Sequence, residues 1–498
     1  MKKIKTNMLV FIISFFLIVI MSGSLLAQNA NPPGLKYIKE SELKKDLYTL
    51  ADAHFNGRSA GTLDELKASM WLAEKYRSIG LLPAGDDGTY LQFFNLWRNH
   101  ISDKSVIKIN NKTAKLWNEV AVAQMANATI VAPITYLGNA ADIDTTKLDI
   151  KNKVVAIEAS SNGINTNVSL PTWRYSRSVQ TKYAMPLIRK GASAVIIIAD
   201  DFAEKAWDDA AENFKRGNYD IDGGPNVTLT TTIPILWMHA NAKADLQNNT
   251  AFMNANIIVD KYSYPSVNII GKINGTDPKL KEEYLLYSGH QDAHGIRNVH
   301  NNDSTYYGAD DNASVDVAML ANARAFIKNP AKRSILFVIH GAEERGLLGS
   351  RYYVQHPTVP IKNIVTCLNG DMIGRNNIDS AAFLGMQSPH KNSTELVNLI
   401  LAANNEGPKF KLDTAYDKVT HVEGWYFRSD HVPYARLGIP AVMYTTLLHE
   451  DYHTPLDNAE NINYPKLKKM ADWMYRSGWK VANLAKRPAT DVNFKLER

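Results

Sequence analysis

The chain has 498 residues, 45% hydrophobic and 21% charged, which is the balance of a soluble globular protein with room for two or three domains. The formal net charge is +6, but Lys2, Lys3 and Lys5 lie in an N-terminal leader. The remaining charge is too slight to indicate nucleic acid or a membrane surface as a partner. The single cysteine, Cys367, excludes an internal disulfide and lies in an apolar run that predicts a buried strand.

Residues 1–27 have the pattern of a secretory signal peptide. Basic residues precede an apolar stretch at 8–21, and small residues then lead to a cleavage point after Ala27. An uncleaved membrane anchor is the less favoured alternative, because the apolar stretch is short for a bilayer span. We therefore expect an exported protein, periplasmic or secreted, with no stable membrane insertion after the signal is removed.

Two helices are predicted at the start of the mature chain, at 41–55 with Ser41 as its cap and at 63–79 closed by Gly80. From about residue 116 the pattern changes to short apolar runs between turns. These runs are 129–134, 154–157, 194–198 and 233–238, with one helical segment at 179–190. The charged, Asn/Gly-rich stretch 207–224 predicts a surface loop. We predict an inserted β-rich domain at 116–259, between a first part (35–115) and a second part (260–490) of one catalytic domain.

The second half of the chain alternates strand-like and helix-like segments. They lie at 284–288, 314–328, 335–339, 347–356, 364–368, 381–385, 393–404, 439–444 and 464–485. This alternation predicts an α/β fold with a mostly parallel sheet and helices on both faces.

Acidic residues and histidines follow three of the predicted strands. They are His290 and Asp292, then Glu343 and Glu344, then Asp371; Asp310-Asp311 precedes a helix, and His453 comes late in the chain. Each residue alone is more often structural than catalytic. In open α/β sheets, however, ligands bind just past the carboxyl ends of strands. Imidazole and carboxylate together are the ligands of catalytic zinc, so the set predicts a divalent metal site.

The order of these pieces resembles family M28 of the metallopeptidases, the zinc aminopeptidase and carboxypeptidase group. The carrying segments are 289–292 (GHQD), 308–314 (GADDNAS), Glu343-Glu344, 371–374 (DMIG), 429–431 (SDH) and 452–457 (YHTPLD). Gly57-Arg58 also resembles this family. The middle segment, with 190–194 (KGASA), resembles more loosely the protease-associated domain that is often inserted in such enzymes.

The resemblance implies two zinc ions and a role for each position. His290 and Asp371 would hold one ion, and Glu344 and His453 the other. Asp310 would bridge the two ions, with a non-proline cis peptide after it, at Asp310–Asp311. Asp292 and Asp311 would support the ligands, Asp292 by orienting the imidazole of His290. Glu343 would be the general base, and Tyr426 would donate to the carbonyl oxygen of the substrate.

Four further histidines near these segments, His294, His300, His431 and His449, are interpreted as structural. His449 competes with His453 as a ligand. We prefer His453, because Thr454-Pro455 and Asp457 follow it as in the family.

The sequence therefore predicts an exported di-zinc exopeptidase acting on peptides, most simply an aminopeptidase, and carries no signal of its oligomeric state. A carboxypeptidase is the leading alternative, since Arg297, Arg345, Arg375 and Arg428 could bind a C-terminal carboxylate. A glutaminyl cyclase is less favoured, because cyclases of this superfamily lack the first pair of ligands. A non-catalytic binding module would be expected to lose a ligand or the base, and none is lost.

Overall fold

The computed structural model describes residues 31–164, 166 and 173–496; the predicted signal peptide lies outside the described residues. Helices α1 to α12 span Glu40–Leu50, Leu63–Ile79, Trp173–Val179, Met185–Arg189, Asp201–Lys205, Trp207–Arg216, Lys243–Leu246, Ser314–Lys328, Leu348–Gln355, Thr394–Glu406, His431–Arg436 and Tyr464–Asn483. Strands β1 to β10 span Leu82–Pro83, Leu91–Ile101, Val106–Ile109, Lys112–Thr113, Val120–Gln124, Ala128–Asn139, Val154–Glu158, Ala194–Ile198, Asn218–Ile221 and Ile235–Met238. Strands β11 to β20 span Phe252–Ile257, Val259–Ile273, Tyr284–His290, Gly295–His300, Asp303–Tyr306, Ser334–His340, Ile364–Gly370, Ser380–Leu384, Lys411–Leu412 and Ala441–Thr445.

The larger sheet has the order β19-β18-β20-β17-β13-β16-β12-β2-β9, with β1 paired to β12. Its four central strands, β20, β17, β13 and β16, are parallel to one another. Strands β12, β2 and β9 continue it antiparallel on one side, and β18 pairs antiparallel with β20 on the other. The predicted α/β fold is confirmed, and the parallel arrangement holds at the centre of a mixed sheet.

Helices cover both faces of this sheet, as predicted, because alternate residues of its buried strands point to opposite sides. Leu285 and Tyr287 of β13 pack into the core that includes α8 and α12. Leu286, between them, packs into a separate cluster with Tyr353 of α9 and Tyr434 of α11. Both faces are therefore apolar, and polar chemistry is left to the edges of the sheet.

The smaller sheet has the order β4-β3-β11-β6-β7-β8-β10-β5. It begins with Val106–Ile109, before the predicted boundary at residue 116, and β9 of the predicted insert pairs instead with β2 of the larger sheet. The resemblance of this segment to a protease-associated domain stays a prediction.

The loop predicted at 207–224 is wrong, since this segment forms helix α6 and strand β9. The many charged residues led to the loop prediction, but those of α6 lie outside the buried face of this amphipathic helix, which consists of Trp207, Ala210 and Ala211.

The two N-terminal helices are present. α2 spans Leu63–Ile79 and ends at Gly80 in a left-handed conformation (φ +101°), as predicted. α1 begins at Glu40 after Lys39, and no side chain caps it, so the capping role predicted for Ser41 is wrong. Cys367 is buried in β17, as predicted. Within the described ranges, no helix combines the length and apolar character needed to cross a bilayer.

Candidate metal centre

The candidate site lies where the central parallel strands end. His290 is the last residue of β13 and pairs in register with His340, the last residue of β16. Asp371 follows β17, and Glu343 and Glu344 follow β16 after a two-residue turn. Because parallel strands end at the same edge, residues that are distant in sequence meet here.

A short turn separates the side chains of the two adjacent glutamates. The carboxylate of Asp292 holds this turn, since Oδ1 accepts the amide N–H of Glu343 (2.9 Å) and Oδ2 that of Glu344 (3.2 Å). Glu343 Oε2 then lies 3.7 Å from His290 Nε2, while Glu344 Oε1 lies 3.3 Å from His453 Nε2. The two glutamates thus face two different histidines.

His290, Glu343 and Asp371 form the first of two groups that could hold a metal ion. His290 Nε2 lies 3.7 Å from both Glu343 Oε2 and Asp371 Oδ2, and 3.4 Å from Asp311 Oδ1. On its other side, His290 Nδ1 lies 3.1 Å from the main-chain carbonyl oxygen of Asp292 and 3.8 Å from its carboxylate. The ring is therefore oriented with Nε2 towards the carboxylates.

Glu344, His453 and His294 form the second group. Glu344 Oε2 lies 3.3 Å from His294 Nε2, and the rings of His294 and His453 meet edge to face at 3.9 Å. Asp311 connects the two groups, because its second oxygen lies 3.1 Å from His453 Nε2.

These spacings fit zinc. Ligand bonds of roughly 2.0–2.2 Å in a tetrahedral arrangement place ligand atoms about 3.3–3.6 Å apart. In the described part of the chain, His290 Nε2, Glu344 Oε1 and both ring nitrogens of His294 are buried without a hydrogen-bond partner. Buried polar atoms are normally satisfied, and a bound cation would satisfy the lone pairs of this set.

Burial and neighbouring charges act together on the titration of this site. Burial raises the pKa of Glu343 and of Asp371. Burial also opposes the charged form of His290, but Glu343, Asp311 and Asp371 outweigh it and raise the pKa of the imidazole. For Asp311, His290 and His453 outweigh burial and lower the pKa. Acidic groups packed this closely favour a multivalent cation between them.

The turn before α8 places Asp311, and not Asp310, between the two groups. Asp310 Oδ1 accepts the N–H of Gly374 (2.6 Å), and its other oxygen lies 3.5 Å from His449 Nε2. The predicted cis peptide at Asp310–Asp311 is wrong, since the cis bond joins Asp311 to Asn312. Asp311, rather than Asp310, therefore lies close to both His290 and His453.

Asp457, far along the chain, and Gly308, at the start of the turn, shape this turn. The carboxylate of Asp457 accepts the N–H groups of Asp310 (2.8 Å) and Asp311 (3.1 Å). Gly308, at φ +57°, starts the turn, and a Cβ there would lie 2.3 Å from the carbonyl oxygen of Asp311. Only glycine fits this position.

Arg58 supports the site from behind. Its fully buried guanidinium donates to the carbonyl oxygens of Gln291, Leu50, Tyr307 and Gly308 at 2.7–2.8 Å. It thereby joins α1, the end of β13 and the turn before Asp310, which gives the Gly57-Arg58 segment a structural role.

The structure does not bring Tyr426 to the site. The ring of Tyr426 is fully buried and stacks on the ring of His390 at 4.3 Å. It also meets the ring of His431 edge to face at 4.7 Å, so His431 packs against Tyr426. Tyr452 instead lines the cleft and stacks on His453 at 3.6 Å. The sequence interpretation missed Tyr452, although it directly precedes a predicted ligand.

His294, interpreted from the sequence as structural, stands with Glu344 and His453. Its position four residues after His290 was the only signal in the sequence.

A cleft of about 630 Å³ opens over both groups. Apolar side chains line one part of it, including Met372, Trp425, Phe427, Leu448 and Tyr452. Arginines also line it, including Arg174, Arg177, Arg216, Arg297 and Arg428.

Comparison with known proteins gives a consistent result. Residues 268–477 match the model of Peptidase family M28. Aminopeptidase YwaD of Bacillus subtilis (strain 168) is 30% identical over 194 residues, which are 37% of this chain and 40% of that protein. The vacuolar membrane protease of Saccharomyces cerevisiae (strain ATCC 204508 / S288c) is 34% identical over 111 residues, 22% of this chain and 10% of that protein. The match thus spans less than half the length of either curated relative.

Two solved structures share the fold over most of the chain. An aminopeptidase from Aneurinibacillus sp. strain AM-1 superposes with a TM-score of 0.60 at 19% identity, covering 93% of this chain and 99% of that one. BSAP, a zinc aminopeptidase from Bacillus subtilis, superposes with a TM-score of 0.57 at 20% identity, covering 92% and 99%.

Proposed function

We propose that this chain, whose residues 268–477 match the model of Peptidase family M28, is a di-zinc exopeptidase that removes N-terminal residues from peptides. The observation that carries the proposal is the pair of ligand groups joined by Asp311. The relative described as an aminopeptidase supports cleavage at the N-terminus, and the neighbour described as a zinc aminopeptidase supports zinc.

In this proposal His290 and Asp371 would hold one zinc ion, and Glu344 and His453 would hold the other. Asp311, which faces both histidines, would contribute to both groups, and His294 would add a side chain to the second. When bound, the two zinc ions would lower the pKa of a water molecule and polarise the peptide carbonyl.

Glu343 is the proposed general base. It lines the cleft, and the hydrogen bond from its N–H to Asp292 fixes its backbone. Its carboxylate would take a proton from the attacking water and pass it to the nitrogen of the leaving amine as the C–N bond breaks. Asp292 therefore positions two residues: its carboxylate binds the N–H of Glu343, and its main-chain carbonyl oxygen contacts His290 Nδ1.

Tyr452 is the proposed donor to the developing oxyanion, in place of Tyr426. Burial raises the pKa of its hydroxyl, and the nearby carboxylates of Asp311, Glu344 and Asp371 raise it further. The hydroxyl therefore stays protonated at neutral pH and can donate a hydrogen bond.

Peptide pairs with free and blocked N-termini test the assignment. We expect cleavage only at the free N-terminus, lost on chelation, restored by zinc, and lost in Glu343→Gln. Glu282→Gln is the matched control, because Glu282 is exposed and lies two residues before the start of β13, at the end of the strand away from His290. Release of C-terminal residues from both peptides would instead establish a carboxypeptidase. Folded, zinc-loaded protein that cleaves no peptide would establish a binding module.

Export is also part of the proposal. N-terminal sequencing of the mature protein should find Gln28 first. Recovery of intact Met1 in the mature protein would contradict cleavage of the predicted signal peptide.

A further inference from the structure

Three arginines line the clefts beside Glu344. Arg216 ends α6, Arg297 lies in β14, and Arg345 ends the short turn that carries Glu343 and Glu344. Arg216 and Arg345 line one cleft, Arg216 and Arg297 line another, and Glu344 lines both. We call Arg216, Arg297 and Arg345 the arginine cluster.

The arginine cluster has no carboxylate partner of its own in the part of the chain that the structure describes. Arg216 donates to the amide oxygen of Asn213 (2.9 Å), and Arg345 donates to the hydroxyl of Ser59 (3.0 Å). Nε of Arg216, and Nε and Nη1 of Arg345, are buried without any hydrogen-bond partner among the described residues. Two other arginines near the candidate metal centre are paired, Arg375 with Asp451 and Arg428 with Glu423.

The carboxylates of Glu65, Asp292 and Glu344 interact electrostatically with Arg345 or Arg216, but no described carboxylate forms an ion pair with the arginine cluster. Arg345 lies over the ring of Tyr219 and Arg297 over that of Tyr306, each at 5.4 Å. Asp209 accepts a hydrogen bond from Asn298, and Glu344 faces His294 and His453. Burial and the two neighbouring arginines lower the pKa of Arg216 to about 9. Donors that are buried, positive and unpaired are a site for an anion.

The arginine cluster adjoins the candidate metal centre. A second cleft, of about 540 Å³, is lined by Arg216 and Arg345 and shares Glu344 with the cleft over the metal centre. Arginines therefore line both clefts that Glu344 borders.

We propose that the arginine cluster binds a carboxylate of the peptide substrate. The proposal rests on the proposed peptidase function and names its substrate class: short peptides with a free C-terminus, or peptides with an acidic residue next to the cleaved bond. Arg216 comes from α6, so the segment between the two halves of the catalytic domain supplies part of the substrate site.

Matched peptides test this proposal. We expect KM for Leu-Leu to be lower than for Leu-Leu amide by about tenfold or more, the effect of one hydrogen bond between charged groups. If the α-carboxylate is bound, the advantage falls in tripeptides and tetrapeptides. If an acidic side chain is bound, Leu-Asp amide is preferred over Leu-Asn amide. In Arg216→Gln and Arg345→Gln the preference should fall to near one, whereas the exposed Arg189→Gln should keep it.

Calorimetry keeps this test independent of catalysis. Zinc-loaded Glu343→Gln protein should bind Leu-Leu about tenfold more tightly than Leu-Leu amide, and the added Arg216→Gln substitution should remove the difference. Equal binding of every acid and amide pair would overturn the proposed anion site, even if peptides are hydrolysed. Tighter binding of the acid than of the amide, together with no hydrolysis of any peptide by the wild-type protein, would support the anion site and count against the peptidase function.

Discussion

The two larger of the three sheets both end in polar residues, but among the described residues only the edge of the largest sheet leaves such residues without partners. In the smaller sheet, the parallel strands β7, β8 and β10 end at or just before Glu158, Asp200 and His239. Glu158 pairs with Lys243 (2.8 Å), Asp200 caps α5 through the N–H of Ala203 (3.0 Å), and His239 contacts Glu204 (2.7 Å).

The edge of the larger sheet is different. Among the described residues, His290, Glu344 and His294 each keep buried polar atoms without a hydrogen-bond partner. A position at the end of a parallel strand is therefore not sufficient for a site. The difference lies in whether the fold supplies each polar atom with a partner, because a satisfied group has little left to offer a ligand.

The same substitution at both edges should give the largest contrast. We expect Asp311→Asn to lower kcat/KM roughly a thousandfold, because losing a ligand to both ions removes several kcal/mol of transition-state stabilisation. Asp200→Asn should keep full activity and change the free energy of unfolding by less than about 1 kcal/mol, since asparagine also caps helices. Peptide kinetics and denaturant unfolding measure both. A similar loss of activity in Asp310→Ala and Asp311→Asn would contradict the bridging assignment.

Tyr452 and Tyr426, both near the end of the larger sheet, should differ in their effect on kcat. Tyr452→Phe should lower kcat by about a hundredfold with little change in KM, as expected for one donor used in the transition state. Tyr426→Phe should leave kcat nearly unchanged, because that hydroxyl is buried away from the cleft. Equal effects of the two substitutions on kcat would refute the proposed donor.

Substituting one histidine at each sheet edge should affect zinc binding differently. His294→Ala should weaken zinc binding at the second group by about tenfold, within the range for residues around a metal. His239→Ala should leave zinc binding unchanged, because His239 already contacts Glu204 and the carbonyl oxygen of Asn118. Zinc content after dialysis against buffered zinc measures this effect. Unaltered zinc content in His294→Ala would show that His294 does not contribute to zinc binding.

Glu65 should have the smallest effect on activity and a distinct effect of pH on stability. Burial, and then the charge of Asp292, raise its pKa to about 8, although Ser266 and Gly61 donate to it. Between pH 4.5 and 8 the unfolded chain releases this proton while the folded chain keeps it. Stability therefore falls as pH rises, by at most about 1.4 kcal/mol per pH unit, and levels off above pH 8.

Glu65→Gln should lack this loss, so its melting temperature relative to the wild type should rise from pH 5 to pH 8. Glu74→Gln, on the exposed side of the same helix, is the matched control and should not show this rise. Parallel pH curves for Glu65→Gln and the wild type would show that Glu65 is ionised in the folded protein.

The sequence by itself determined the alternation of strands and helices and the residues that follow the central strands. His290, Glu343, Glu344 and Asp371 could be identified because a buried strand has a local apolar signature and the next polar residue marks its end. Helix α2 and its end at Gly80 were equally local.

Only the tertiary structure decided which of two neighbours faces the site. Asp310 and Asp311 differ by one peptide, and the direction of each side chain depends on a turn held by Asp457, far along the chain. The same holds for Tyr452 against Tyr426, for His294, and for Arg216, which lies on a helix whose polar surface predicted a loop. Side-chain direction in turns and the packing of one sheet against another are set by long-range contacts, which no local pattern contains.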